Sequence, residues 1–103
     1  MAQASQVVDL INRRLRHDHA IVDELIDVVY EWGELPDWQQ ASWTVDWDEF
    51  AVGDVPKLAD YARSGRMSSE QMVSYQDLLN RLREQRPTMA RLRLAAPGIP
   101  LDS

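Results

Sequence analysis

Three groups of side chains in this sequence have the types and spacing to do chemistry, and each calls for a different kind. The first is His17 and His19 with Asp18 and Asp23. Imidazole nitrogens and carboxylate oxygens are donors that borderline divalent ions accept, and His19 and Asp23 stand one helical turn apart. His17 and His19, however, point to different faces of a helix, whereas a metal site needs three or four donors converging on one point. The pattern reads as a solvated or hinge-like pair of histidines, and no metal or other cofactor is expected.

The second group is carboxylates at helical spacing, Asp46 with Glu49 and Asp23 with Asp27, where one acid could give a proton and the other take one. Such pairs are far more often solvated surface. The chain has no nucleophile elbow, Ser-His-Asp context, phosphate-binding glycine loop or dinucleotide fingerprint. It also has no cysteine, which excludes thiol nucleophiles, disulfide scaffolds and thiolate zinc sites together. The chain reads as non-catalytic.

The third group is four tryptophans, Trp32, Trp38, Trp43 and Trp47, set among acids. Indole rings are enriched at binding hot spots, and carboxylates around an exposed aromatic face would steer a basic partner and then anchor it. On this reading Trp38, Trp43, Asp46, Trp47, Asp48 and Glu49 are the candidate partner-binding residues. The competing reading is that the rings are the core itself, as a few tryptophans often are in a small domain.

The charge distribution supports a lopsided surface. From His17 to Asp60 there are twelve acidic residues against the single Lys57, and from Arg63 to Arg93 seven arginines against three acids. The basic cluster Arg81, Arg83, Arg86, Arg91 and Arg93 could touch nucleic acid, an acidic protein surface, or the acidic segment of this chain or of a second copy. It reads equally well as a solvated face with internal ion pairs, which stabilise by little. The span from Lys57 to Leu78 has the order of a helix-turn-helix, but its turn is two residues too long and its second helix has no basic residue before Arg81. With a net charge of −6, nucleic acid is not the expected partner.

The elements that must position these groups are helical. Val8, Ile11, Leu15, Val22, Leu25, Val29 and Trp32 fall at spacings of three and four, interrupted only at Asp18, and predict one long helix from about Gln6 to Trp32. Ser5 serves as its N-cap and Gly33 as its stop. The alternative is a break at His17-Asp18-His19, but the phase carries across it without slipping. A buried Asp there would be costly unless paired, so Asp18 is expected to face solvent or a polar partner. Residues 33–53 are the least regular part; Trp43, Trp47 and Phe50 share one face of a short helix if Ser42 or Thr44 starts it.

Asp54 as N-cap with Pro56 in the first turn opens a further helix ending at Ser64-Gly65. Ser68 and Gln71 form a capping-box pattern opening a helix with Met72, Tyr75, Leu79 and Leu82 on one face, ending before Pro87. Residues 88–96 suit a short helix and an edge strand equally, and Pro97, Gly98 and Pro100 mark a tail.

At 103 residues and 45% hydrophobic content the chain fits one core. The expectation is an all-α domain of three to five helices over residues 1–96, with 97–103 as a C-terminal tail. No stretch approaches the roughly 18 apolar residues of a membrane span and no signal-peptide pattern is present, so the cytoplasm is the default location. The excess of arginine over lysine suggests a GC-rich bacterial genome. The expected role is a binding module of inhibitor, immunity, antitoxin or adaptor type that meets a basic protein. The alternatives are a nucleic-acid-binding regulator using the arginine cluster and a structural homodimer formed through the long N-terminal helix.

Overall fold

The computed structural model describes residues 2–101 and is all-α, with no strand among them. Helix α1 spans Ala2–Val28, a single 3₁₀ turn follows at Trp32–Glu34, and α2 spans Asp37–Asp48. A π-helical segment, Glu49–Asp54, joins α2 to α3, Val55–Arg63; α4 is Ser69–Glu84 and α5 is Arg86–Leu92. None of these helices is long and apolar enough to cross a membrane.

The long first helix runs unbroken through His17-Asp18-His19. It starts before Ser5, which therefore lies inside the helix; the Ser5 side chain is outside the described residues. It also stops at Val28, short of the expected Trp32. The hydrogen bonding tightens there, from Val29 N donating to Leu25 O to Glu31 N donating to Val28 O. The Gln40 side chain then donates to the carbonyls of Trp32 at 2.7 Å and Leu35 at 3.3 Å, serving backbone acceptors that a continued helix would have served.

Helix α2 opens at Asp37 rather than at Ser42 or Thr44. Pro36 presets the entry, its carbonyl accepts from Gln39 N and Gln40 N, and Asp37 places a negative charge in the first turn. Thr44 is mid-helix, its hydroxyl donating back to Gln40 O. Asp54 does not cap α3. Asp48 and Asp54 are both right-handed helical, so α2 continues into α3 through the wider π turn.

The capping box that opens α4 is present in both directions, Gln71 N donating to Ser68 Oγ and Ser68 N to Gln71 Oε1. Ser68→Ala should cost about 1 kcal/mol, measured as a lowered urea midpoint with unchanged slope. Helix α3 ends in a Schellman turn: Gly65 has φ +74°, with Arg66 N donating to Tyr61 O and Gly65 N to Ala62 O. The same pattern closes α5, but with Arg93 in the left-handed position at φ 59°. Residues 86–92 are thus helix, and only then does the chain extend.

The core is one cluster. Ile11, Leu15, Val22 and Leu25 of α1 meet Val55, Leu58 and Ala59 of α3 and Tyr75, Leu78 and Leu82 of α4. Trp47, Phe50 and Ala51 fill its other end with Met89, Leu94 and Leu101. Gln71 is buried without loss, donating to Val8 O and Asn12 Oδ1. The segment expected as a tail is docked as far as it is described. Leu101 is buried and accepts from Arg83 Nε at 2.6 Å, and Gly98 N donates to Ala51 O of the π segment. A Cβ on Gly98 would lie 3.1 Å from Pro56 Cγ, so a larger residue here would require the proline ring to give by a few tenths of an ångström.

Candidate functional site

The tryptophans form a ladder from the surface into the core. Trp32 meets Trp43 edge-on at 6.0 Å, Trp43 stacks on Trp47 at 5.7 Å and 15°, and Trp47 meets the edge of Phe50 at 5.1 Å. The seven-residue spacing that puts Trp43, Trp47 and Phe50 on one face of α2 turns that face inward. Trp47 is only 1% exposed and its indole N–H is spent on Ala95 O at 2.8 Å. The expectation that Trp47 faces outward is corrected: it is a core residue and cannot dock a partner.

The other five candidates separate by depth. Trp38 is 69% exposed, and Asp46, Asp48 and Glu49 are exposed with it. Trp38, Ser42, Val45, Glu49 and Val52 follow one another at helical spacing along the solvent side of α2 and the π segment, and all are exposed. Trp43 is half-buried and lies elsewhere. It borders a cavity of about 280 Å³ whose other lining residues are Glu24, Asp27, Val28 and Glu31 of the α1 end and the turn after it. Three carboxylates and one indole, with no basic residue, line this shallow, open recess. Sequence reasoning missed Glu24, Asp27 and Glu31. Their three- and four-residue spacing put them on one helix face, but nothing local indicated that α2 would fold back to bring Trp43 there.

Two of the five arginines of the basic cluster, Arg81 and Arg83, are engaged within the chain. Arg81 pairs with Asp23 and donates to His19 Nδ1 and His19 O, and Arg83 holds Leu101 O and Asn80 Oδ1. Because a guanidinium only donates, Nδ1 of His19 must accept, which leaves Nε2–H to donate to Ser74 O at 3.1 Å. His19 and Asp23 are therefore a clasp between α1 and α4.

The second histidine has different neighbours. His17, Asp18 and Asp54 place one imidazole nitrogen and two carboxylate oxygens within 4.8 Å of one another. Asp18, expected to face solvent or a polar partner, is sealed from solvent at 1% exposure beside His17 and Asp54, without a hydrogen bond to either. Burial, then the negative charge of Asp54, push its carboxyl up from 3.8 to about 7, with the Arg14 guanidinium pulling the other way. Arg14 Nη1 lies 3.6 Å from Asp54 Oδ1, and its own Nε is buried without a partner.

Two arrangements can thus do chemistry, an anionic aromatic recess at Trp43 and a small carboxylate-imidazole cluster that runs inward from the exposed His17 to the buried Asp18. Comparison with family models, curated proteins and solved structures returns no significant match, so the functional reading rests on these residues themselves.

Proposed function

We propose that this protein is a non-catalytic binding module that takes a basic protein segment on the α2 side of the fold. The observation that carries the reading is the recess at Trp43, lined by Glu24, Asp27 and Glu31 and by no cation. A lysine or arginine entering it would meet three carboxylates and an indole, which together offer ion pairing and cation–π attraction. Trp38 and Val45, exposed on the solvent side of α2, supply apolar area to anchor the rest of the segment, and Asp46, Asp48 and Glu49 are exposed on the same stretch of chain.

The alternatives have less to stand on. A nucleic-acid reader would need several cations free for phosphate, and two of the cluster's five arginines, Arg81 and Arg83, are committed to internal partners. A homodimer through the long helix would need its apolar row, and Ile11, Leu15, Val22 and Leu25 are buried against this chain's own helices.

The test is calorimetric titration with an arginine- and lysine-rich amphipathic peptide. Binding is expected that weakens with added salt. The triple variant Glu24→Gln, Asp27→Asn, Glu31→Gln should reduce affinity about tenfold or more, equivalent to roughly 1.4 kcal/mol. Trp38→Ala should weaken it several-fold while leaving the melting temperature unchanged. Peptide affinity indifferent to both variants, or retention of the protein on DNA or heparin, would remove the reading.

A further inference from the structure

Asp18 presents a problem that the binding reading does not touch. A carboxyl group sealed from water is normally hydrogen-bonded, because a buried polar group without a partner carries its full desolvation cost. Here both oxygens lack a partner. Arg14, one turn earlier on the same helix, does not supply one, since its nearest carboxylate contact is with Asp54. The groups nearest the Asp18 oxygens are further lone-pair donors, His17 and Asp54, with the Arg14 guanidinium close enough to act on its charge.

Three donors of this kind converging from two elements are what a cation requires. On a tetrahedral zinc with bonds of about 2.0–2.2 Å, donor atoms stand roughly 3.3–3.5 Å apart. The donors here lie within 4.8 Å of each other, so closing the set requires His17 and Asp54 to move inward, Asp54 exchanging its contact with Arg14 for the ion. The mixed nitrogen and oxygen donors favour a borderline transition ion over calcium or magnesium, which take oxygen alone. The exposure of His17 leaves the fourth position open to water.

We propose that His17, Asp18 and Asp54 form a binding site for a divalent transition ion of the zinc class, in which the ion fastens α1 to the π segment. Asp18 is the inner ligand, fixed by burial. His17 is the outer one and decides access. The site is independent of the Trp43 recess, and neither stands or falls with the other.

The experiment uses tag-free protein stripped with a chelator, dialysed, and titrated with zinc chloride by calorimetry and thermal unfolding. One equivalent should bind, and the melting temperature should rise by about 5 °C or more. His17→Ala, at an exposed position, should keep its far-ultraviolet spectrum and unliganded melting temperature but lose the zinc-dependent rise and at least about tenfold in affinity. Asp54→Asn should weaken binding in the same way. His19→Ala, whose ring is held by Ser74 and Arg81, should bind like the parent. Absence of stoichiometric binding, binding that survives His17→Ala, or binding lost in His19→Ala would each overturn the assignment.

Discussion

Asp18→Asn should make the protein more stable at pH 8 and leave it almost unchanged at pH 4. The carboxyl of Asp18 is raised from 3.8 to about 7 in the fold, chiefly by burial, with Asp54 adding to the rise and Arg14 opposing it. Between those two values the folded chain holds a proton that the unfolded chain has released. By linkage, stability is therefore full below about pH 4, declines as pH rises through 7, and then levels off. The movement from 3.8 to about 7 corresponds to roughly 4 kcal/mol across that window. Asn carries no charge at any pH, so the variant should lack this decline and gain about 2–4 kcal/mol at pH 8. Urea unfolding of both proteins at pH 4, 6 and 8, with chelator present to keep metals out, gives the comparison. Parallel pH profiles for the two proteins would show that Asp18 is not the group responsible.

Trp47→Ala should be the most damaging single change on the aromatic ladder. The ring is enclosed, stacks on Trp43, meets Phe50 edge-on and gives its N–H to Ala95 O. Truncation opens a large cavity and strands that carbonyl, for a loss of about 3–5 kcal/mol. Against a typical total of roughly 5–15 kcal/mol, that brings the fold near its limit. Trp38→Ala, nine residues earlier on the same helix, should change stability by less than about 0.5 kcal/mol because its ring faces water. Guanidinium unfolding followed by far-ultraviolet circular dichroism separates them. Equal losses for the two variants would mean that the division between core and surface tryptophans is misplaced.

What was readable in the sequence follows from which interactions are local. The capping box at Ser68 and Gln71 and the glycine stop at Gly65 lie within a few residues of the groups they satisfy, and both were legible. The case of Asp18 shows two rules in conflict. Its spacing from Leu15 and Val22 puts it on the inward row of α1, while its charge argued for solvent, and the helix phase prevailed. Position in a continuous helix is set by every residue before and after it, and one unfavourable side chain cannot turn the helix over. The tryptophans were divided for a related reason. Period alone groups Trp43, Trp47 and Phe50, but which way that face turns depends on α1 and the segment near Ala95, far away in sequence.

Two features had no local signature at all. Asp54 looks like a helix cap beside Pro56, and only the π segment, which carries the backbone through without a break, frees its carboxylate to approach His17 and Asp18. The recess at Trp43 likewise needs the fold-back of α2 onto the end of α1. The candidate docking residues were therefore partly legible as a composition, aromatic and acidic, and not as a geometry.

The pairing of α1 with α4 bears on how the chain reaches this fold. The bonds that clasp the two helices join residues 55 to 63 positions apart, as in His19 with Ser74, Arg81 with Asp23 and Gln71 with Val8. Helical proteins commonly fold fast because neighbouring helices meet first, whereas here the main partner of the first helix is made only after α2 and α3. During synthesis the part of α1's apolar side that meets α4 stays uncovered until that helix follows at Ser69–Glu84. Until α4 is made, the main contacts open to α1 within the chain are those with the π segment and α3.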